Sequence, residues 1–102
     1  YSITILLKGQ EDIITNGDIT YTNPTLTPCM TVGGTGDILS GLTAGFLSRN
    51  KNVIESASAA TFVNGVAGEI LQKEFGNHIL ASDLISTLPK VLNSFNNEKN
   101  EI

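Results

Sequence analysis

Cysteine occurs once in the 102 residues, at Cys29, so no disulfide can form within the chain, and this usage fits a reducing cytoplasm. Tryptophan is absent, and the single histidine, His78, stands in a connection with no neighbouring ligand for a metal. Positive charge is scarce as well. Six Lys plus Arg against ten Asp plus Glu leave a net charge of −4 without any basic run, which argues against a nucleic acid or an anionic membrane as partner. No apolar run approaches the roughly 20 residues of a membrane span, and no signal-peptide pattern is present. Any phosphate this chain binds must therefore be held mainly by backbone.

What is present is a globular composition, 40% hydrophobic with a mean hydropathy of +0.09, enough for one small core and one domain at most. The chain begins at Tyr1 inside an apolar run, with no initiator methionine, which leads us to expect the C-terminal piece of something longer. At the other end, residues 93–102 are polar and asparagine-rich, and are expected to fray.

The organising stretch is Thr-Val-Gly-Gly-Thr-Gly-Asp over residues 31–37. Gly33, Gly34 and Gly36 let backbone N–H groups crowd together, as an anion nest requires. Ile38, Leu39, Leu42, Phe46 and Leu47 follow at helical spacing, so the loop should feed a helix N-terminus that favours phosphate. It is not a P-loop, because Leu42 stands where the lysine must be. Nor is it a dinucleotide fingerprint, because Leu39 occupies the third glycine position. Asp37 is then either the N-cap of that helix or a catalytic base held close to phosphate.

Around this loop the pattern predicts an α/β arrangement. Residues 3–7 read as a buried strand, apolar on both faces. Asn16-Gly17 predicts a tight hairpin with both turn residues at φ > 0. Asn23-Pro24 and Thr27-Pro28 make residues 23–34 a loop. Three helices are expected over 37–48, 53–75 and 83–95. The first carries Gly41 and Gly45 on one face, for close packing against a sheet. The second is rich in Ala and Gly and must lie against another helix or a flat ligand; it ends at Gly76. The third is capped by Ser82 and kinked or divided by Pro89.

Other side chains admit two readings each. Lys8 at a strand end is a surface cation or a nucleotide contact. Asn64 is a satisfied buried amide or a contact to a base or ribose. Cys29 and Met30 line the loop or fill core.

Lys8-Gly9, a hairpin, Asn23-Pro24, Met30-Thr-Val-Gly-Gly-Thr-Gly-Asp37 and Ala81-Ser-Asp-Leu-Ile85, in that order, resemble the C-terminal part of the ADP- or ATP-dependent NAD(P)H-hydrate dehydratases, members of the ribokinase-like superfamily. The resemblance runs from residue 1 to about residue 92. It implies the C-terminal portion of an α/β/α layered domain, with the N-terminal part, most of the parallel sheet and much of the substrate pocket lying outside this chain. It also implies a cytoplasmic repair lyase, expected as a homo-oligomer, that uses ADP or ATP, with Mg2+, to phosphorylate the ring hydroxyl of hydrated NADH or NADPH before phosphate leaves.

By the same resemblance Asp37 is the general base at the substrate and Gly33, Gly34, Thr35 and Gly36 form the anion hole. The nucleotide-contacting segments are Lys8, Gly9, Gln10, Glu11 and Asp12, and residues 27–36, which include Met30, Thr31 and Gly36. Asn64 lies beside the adenine. A ribokinase-like kinase for a vitamin precursor, and a non-catalytic nucleotide-binding piece, are the alternatives.

Overall fold

A computed structural model describes residues 2–24, 33–50 and 52–100, with residues 96–100 as backbone only. Three strands, β1 (Ile5–Leu7), β2 (Glu11–Thr15) and β3 (Thr20–Pro24), are followed by three helices, α1 (Thr35–Arg49), α2 (Val53–Phe75) and α3 (Ala81–Asn100). The sheet order is β1-β2-β3 and both pairings are antiparallel.

The hairpin forms, but by different turn chemistry from the expected I′ turn. Thr15 pairs with Thr20, leaving four residues in the connection. Gly17 takes φ 98° while no described non-glycine residue has positive φ, so Asn16 does not share that conformation. Asn16 Oδ1 instead accepts from the N–H groups of Asp18 (3.0 Å) and Ile19 (2.8 Å), and its side chain stands in for a turn of backbone. The strand after the turn reaches Pro24, so Asn23 and Pro24 end β3 rather than open a loop. Proline is tolerated there because β3 is an edge strand.

Within this chain the first strand is covered on one face only. β1 is also an edge, and its side chains alternate: Leu6 packs on Ile14, Ile54 and Ala57, whereas Ile5 and Leu7 are 50% and 60% exposed. The register puts Ile5 with Thr15 and Leu7 with Ile13 on one side of the sheet. The helices cover only the other side, where Ile14 is buried against α2.

The small residues of α2 allow this close approach. Ala57 meets the sheet, and Ala67 sits in a helical core with Val63, Leu71, Ile79, Leu84 and Val91, onto which Ile38, Leu42 and Phe46 of α1 pack. Asn52 caps α2 by accepting from Glu55 N–H at 3.1 Å. Gly76 closes it, donating to the Gln72 carbonyl at 2.9 Å.

No described residue packs on Gly41 or Gly45. Both are exposed, and a Cβ added at either would meet nothing within 4 Å. The α1 helix turns its Leu42 and Phe46 inward instead. Helix α3 differs from expectation at both ends. Ser82 does not cap it; Asp83 reaches back, accepting from Leu80 N–H at 2.7 Å, while Asp83 N–H donates to the Leu80 carbonyl at 3.0 Å. Helical backbone then continues through Pro89 to Asn100, across the segment expected to fray.

Leu84 is fully buried in the helical core. Leu84→Ala is expected to cost about 3 kcal/mol of stability, the sum of lost transfer free energy and the cavity left behind. Chemical denaturation of the complete protein measures it.

Candidate functional site

The glycine stretch enters α1 two residues earlier than the sequence pattern indicated. The N-cap is Gly34, at φ 94° and ψ −14°, and it has no side chain with which to cap. A left-handed N-cap explains why glycine is needed at this position. Gly33 and Gly36 do not share its positive φ. A Cβ on either would project into open space, with no described atom within 4 Å.

The first bond of the helical ladder runs from Ile38 N–H to the Gly34 carbonyl, at 3.2 Å. The N–H groups of Gly36 and Asp37 therefore precede the ladder and point the positive end of the helix dipole outward. Asp37 occupies the third helical position, not the cap. Its carboxylate is exposed, and among the described residues no donor engages it.

The strand end brings the cation. Lys8 Nζ donates to Thr35 Oγ1 at 2.9 Å, across 27 residues of chain, and Thr35 is buried. Asp12, also buried, accepts from Gly9 N–H at 3.0 Å, which fixes the turn out of which Lys8 extends. Gln10 and Glu11 are exposed on that turn. Of the residues expected at a nucleotide, Lys8 thus meets the glycine loop directly while Asp12 braces its support.

Lys8, Gly36 and Asp37 share the wall of a groove of about 570 Å³ with Leu6, Leu39, Ser40, Thr43, Ala44 and Leu47. The helical part of this wall was not identified from sequence. Its signal is a spacing of small and polar residues at 36, 40, 43 and 44, ending at Leu47, on one face of α1. The hydroxyls are spoken for: Ser40 Oγ donates to the Gly36 carbonyl (3.0 Å) and Thr43 Oγ1 to the Leu39 carbonyl (2.8 Å). The lining is therefore mostly apolar, with Lys8 and Asp37 as its charged members.

Asn64 lies elsewhere. It is buried on α2 and does not line the groove. Its Oδ1 has no hydrogen-bond partner among the described residues, so the satisfied-amide reading does not hold for that atom. Met30 and Thr31, like Cys29, fall outside the described residues. His78 is exposed in the connection before α3. Among the described residues, no group of three His, Cys, Asp or Glu could hold a metal. No described helix is long and apolar enough to cross a membrane.

Comparison with known proteins bears on this arrangement. The family model described as NAD(P)H-hydrate dehydratase matches residues 1–90. An ADP-dependent (S)-NAD(P)H-hydrate dehydratase of Nitrosopumilus maritimus is 52% identical over 95 residues, 93% of this chain and 33% of that protein. A bifunctional NAD(P)H-hydrate repair enzyme of Pyrobaculum aerophilum is 53% identical over 91 residues, 89% of this chain and 18% of that protein. The crystal structure of an ADP/ATP-dependent NAD(P)H-hydrate dehydratase from Bacillus subtilis, co-crystallised with ATP/Mg2+, superposes with a TM-score of 0.83 at 32% identity, covering 90% of this chain and 34% of that one. A ribokinase-like superfamily protein from Enterococcus faecalis also gives a TM-score of 0.83, at 31% identity over 92% of this chain and 33% of that one. The chain thus spans about a third, or less, of the length of these relatives. With its fold and 90 of its residues matched, the chain belongs to the NAD(P)H-hydrate dehydratase family and has the ribokinase-like fold.

Proposed function

We propose that the complete protein carrying this chain dehydrates hydrated NADH or NADPH, with ADP or ATP as phosphate donor. The observation that carries this reading is Asp37. Its carboxylate is exposed, does not cap the helix, and lines one groove with Gly36 and Lys8. A carboxylate in that position can accept the proton of a substrate hydroxyl while the loop holds phosphate beside it.

The described residues fit a phosphate. Open space lies over Gly33 and Gly36 where a Cβ would stand, the helix dipole favours an anion, and the Lys8 ammonium is anchored on Thr35. A bound nucleotide would supply the phosphoryl group. Mg2+ would come with the phosphates, whose oxygens are its usual ligands. Lys8 and the loop backbone would bear the charge on the phosphoryl group, and Asp37 would take the hydroxyl proton. Asn64, placed beside the base by the resemblance alone, is buried here, with its Oδ1 unpartnered among the described residues.

The experiment is to supply the complete protein with NADH hydrate and either ADP or ATP. Return of absorbance at the reduced-nicotinamide band is expected. A stable phosphorylated product without that return would make the protein a kinase of the same fold.

The chain is, on the same proposal, the C-terminal part of one ribokinase-like domain, and it needs the remainder to act. The exposure of Ile3, Ile5 and Leu7, at 57%, 50% and 60%, supports this. Expressed alone, residues 1–102 are expected to be molten or poorly soluble, since β1 is an uncovered edge strand. Dispersed amide resonances and a cooperative thermal transition of the isolated chain would contradict that. A homo-oligomeric, cytoplasmic form belongs to the same proposal, supported by the single cysteine and by Leu80 and Ile85, 69% and 58% exposed.

A further inference from the structure

The Ala81-Ser82-Asp83-Leu84 stretch has no part in the reading above, yet it stands behind the glycine loop. A Cβ built on Gly34 would lie 3.0 Å from the Ala81 Cβ, closer than most real contacts between carbons, so the methyl of Ala81 closes the space behind Gly34. No described residue stands comparably near Gly33 or Gly36.

Ala81 has little freedom to retreat. On either side of it Ile79 and Leu84 are buried in the helical core. Leu80 N–H donates to Asp83 Oδ2 at 2.7 Å and Asp83 N–H donates back to the Leu80 carbonyl at 3.0 Å. This reciprocal pair locks the first turn of α3 around Ala81. Gly34 in turn accepts the first ladder bond of α1 from Ile38, so a displacement of Gly34 is a displacement of the N–H groups that follow it.

We propose that Ala81, latched by Asp83, is a positioning residue for phosphate: the start of α3 is a rigid back wall that sets where the Gly34-Thr35-Gly36 backbone stands. This rests on the nucleotide-binding reading given above.

The test is titration calorimetry on the complete protein with ADP and, separately, with adenosine, which offers a base and ribose but no phosphate. Ala81→Leu is expected to weaken ADP binding by about tenfold or more, as sub-ångström to ångström misplacement of anchoring groups does. Adenosine affinity should stay at the wild-type value, and Ala81→Ser should bind both ligands normally. Wild-type ADP affinity in Ala81→Leu, or a parallel loss of adenosine, would overturn the proposal, the latter because it signals general damage. Should Ala81→Leu fail to fold, Asp83→Ala removes the latch without adding bulk. A selective loss of ADP affinity in Asp83→Ala supports the back wall, and unchanged ADP affinity refutes it. Failure of the wild-type protein to bind ADP would instead defeat the nucleotide reading, and this proposal with it.

Discussion

Asp37→Ala in the complete protein is expected to lower turnover of NAD(P)H hydrate by about 10²-fold or more, within the range that positioned acid–base groups contribute. Nucleotide affinity should be unchanged or slightly better, because the lost carboxylate is an anion beside bound phosphate. The two alternatives for Asp37 separate cleanly. A cap would cost helix stability and little else, but the cap position belongs to Gly34. What remains for stability is the attraction of a first-turn carboxylate to the helix dipole, at most about 1 kcal/mol at an exposed site. Steady-state kinetics should therefore show a fall in kcat without a rise in nucleotide KM. Turnover within a few-fold of wild type would remove Asp37 from the mechanism.

Gly34→Val should act on binding, not on chemistry. Two independent effects coincide at this position. Its φ of 94° is strained for any residue with a Cβ, worth roughly 1–3 kcal/mol, and the new Cβ would meet that of Ala81 at 3.0 Å. Both are relieved only by moving the loop, and ADP affinity is expected to fall about 10²-fold. Gly36→Val makes the contrast. Residue 36 is helical with no positive φ and a Cβ there meets no protein atom within 4 Å. Its side chain would obstruct the ligand without disturbing the fold, leaving the melting temperature of the unliganded protein close to wild type while that of Gly34→Val drops. Normal ADP affinity in both variants would refute the anion-hole assignment.

Legibility in the sequence varied with how local each signal was. The bounds of α2 and its closing glycine follow from composition and one residue type, and both were readable. The α1 start was not, because its cap is a glycine whose conformation, not its side chain, does the capping. At α3 the eye falls on Ser82, whereas the donor being satisfied is Leu80 N–H and the acceptor is Asp83, three residues on. What covers β1 was not legible, because an apolar run specifies what a strand prefers, not what lies beside it. The site divides in the same way. The glycine loop and Asp37 are contiguous and legible. The bond from Lys8 to Thr35 spans 27 residues, and the groove wall along α1 depends on which helical face is left open, so neither has a local signature.

The bare face of α1 bears on how the molecule breathes. Gly41 and Gly45 each lower helix propensity by about 1 kcal/mol relative to alanine, and no described neighbour uses the space a methyl would fill. Helix α1 is thus held at its ends, by Gly34 with Ile38 and by Phe46 with Asn50, and by Leu39, Leu42 and Phe46 on its inner side. In this chain its middle is expected to open at a lower free energy than α2, whose inner face is buried over most of its length, so that its amides exchange with solvent sooner. Asp37 rides on the first turn of this weaker helix. The persistence of the carboxylate beside the loop is then governed by whatever presses on α1 from outside, and a ligand that fills the groove would slow hydrogen exchange there before it altered any other helix.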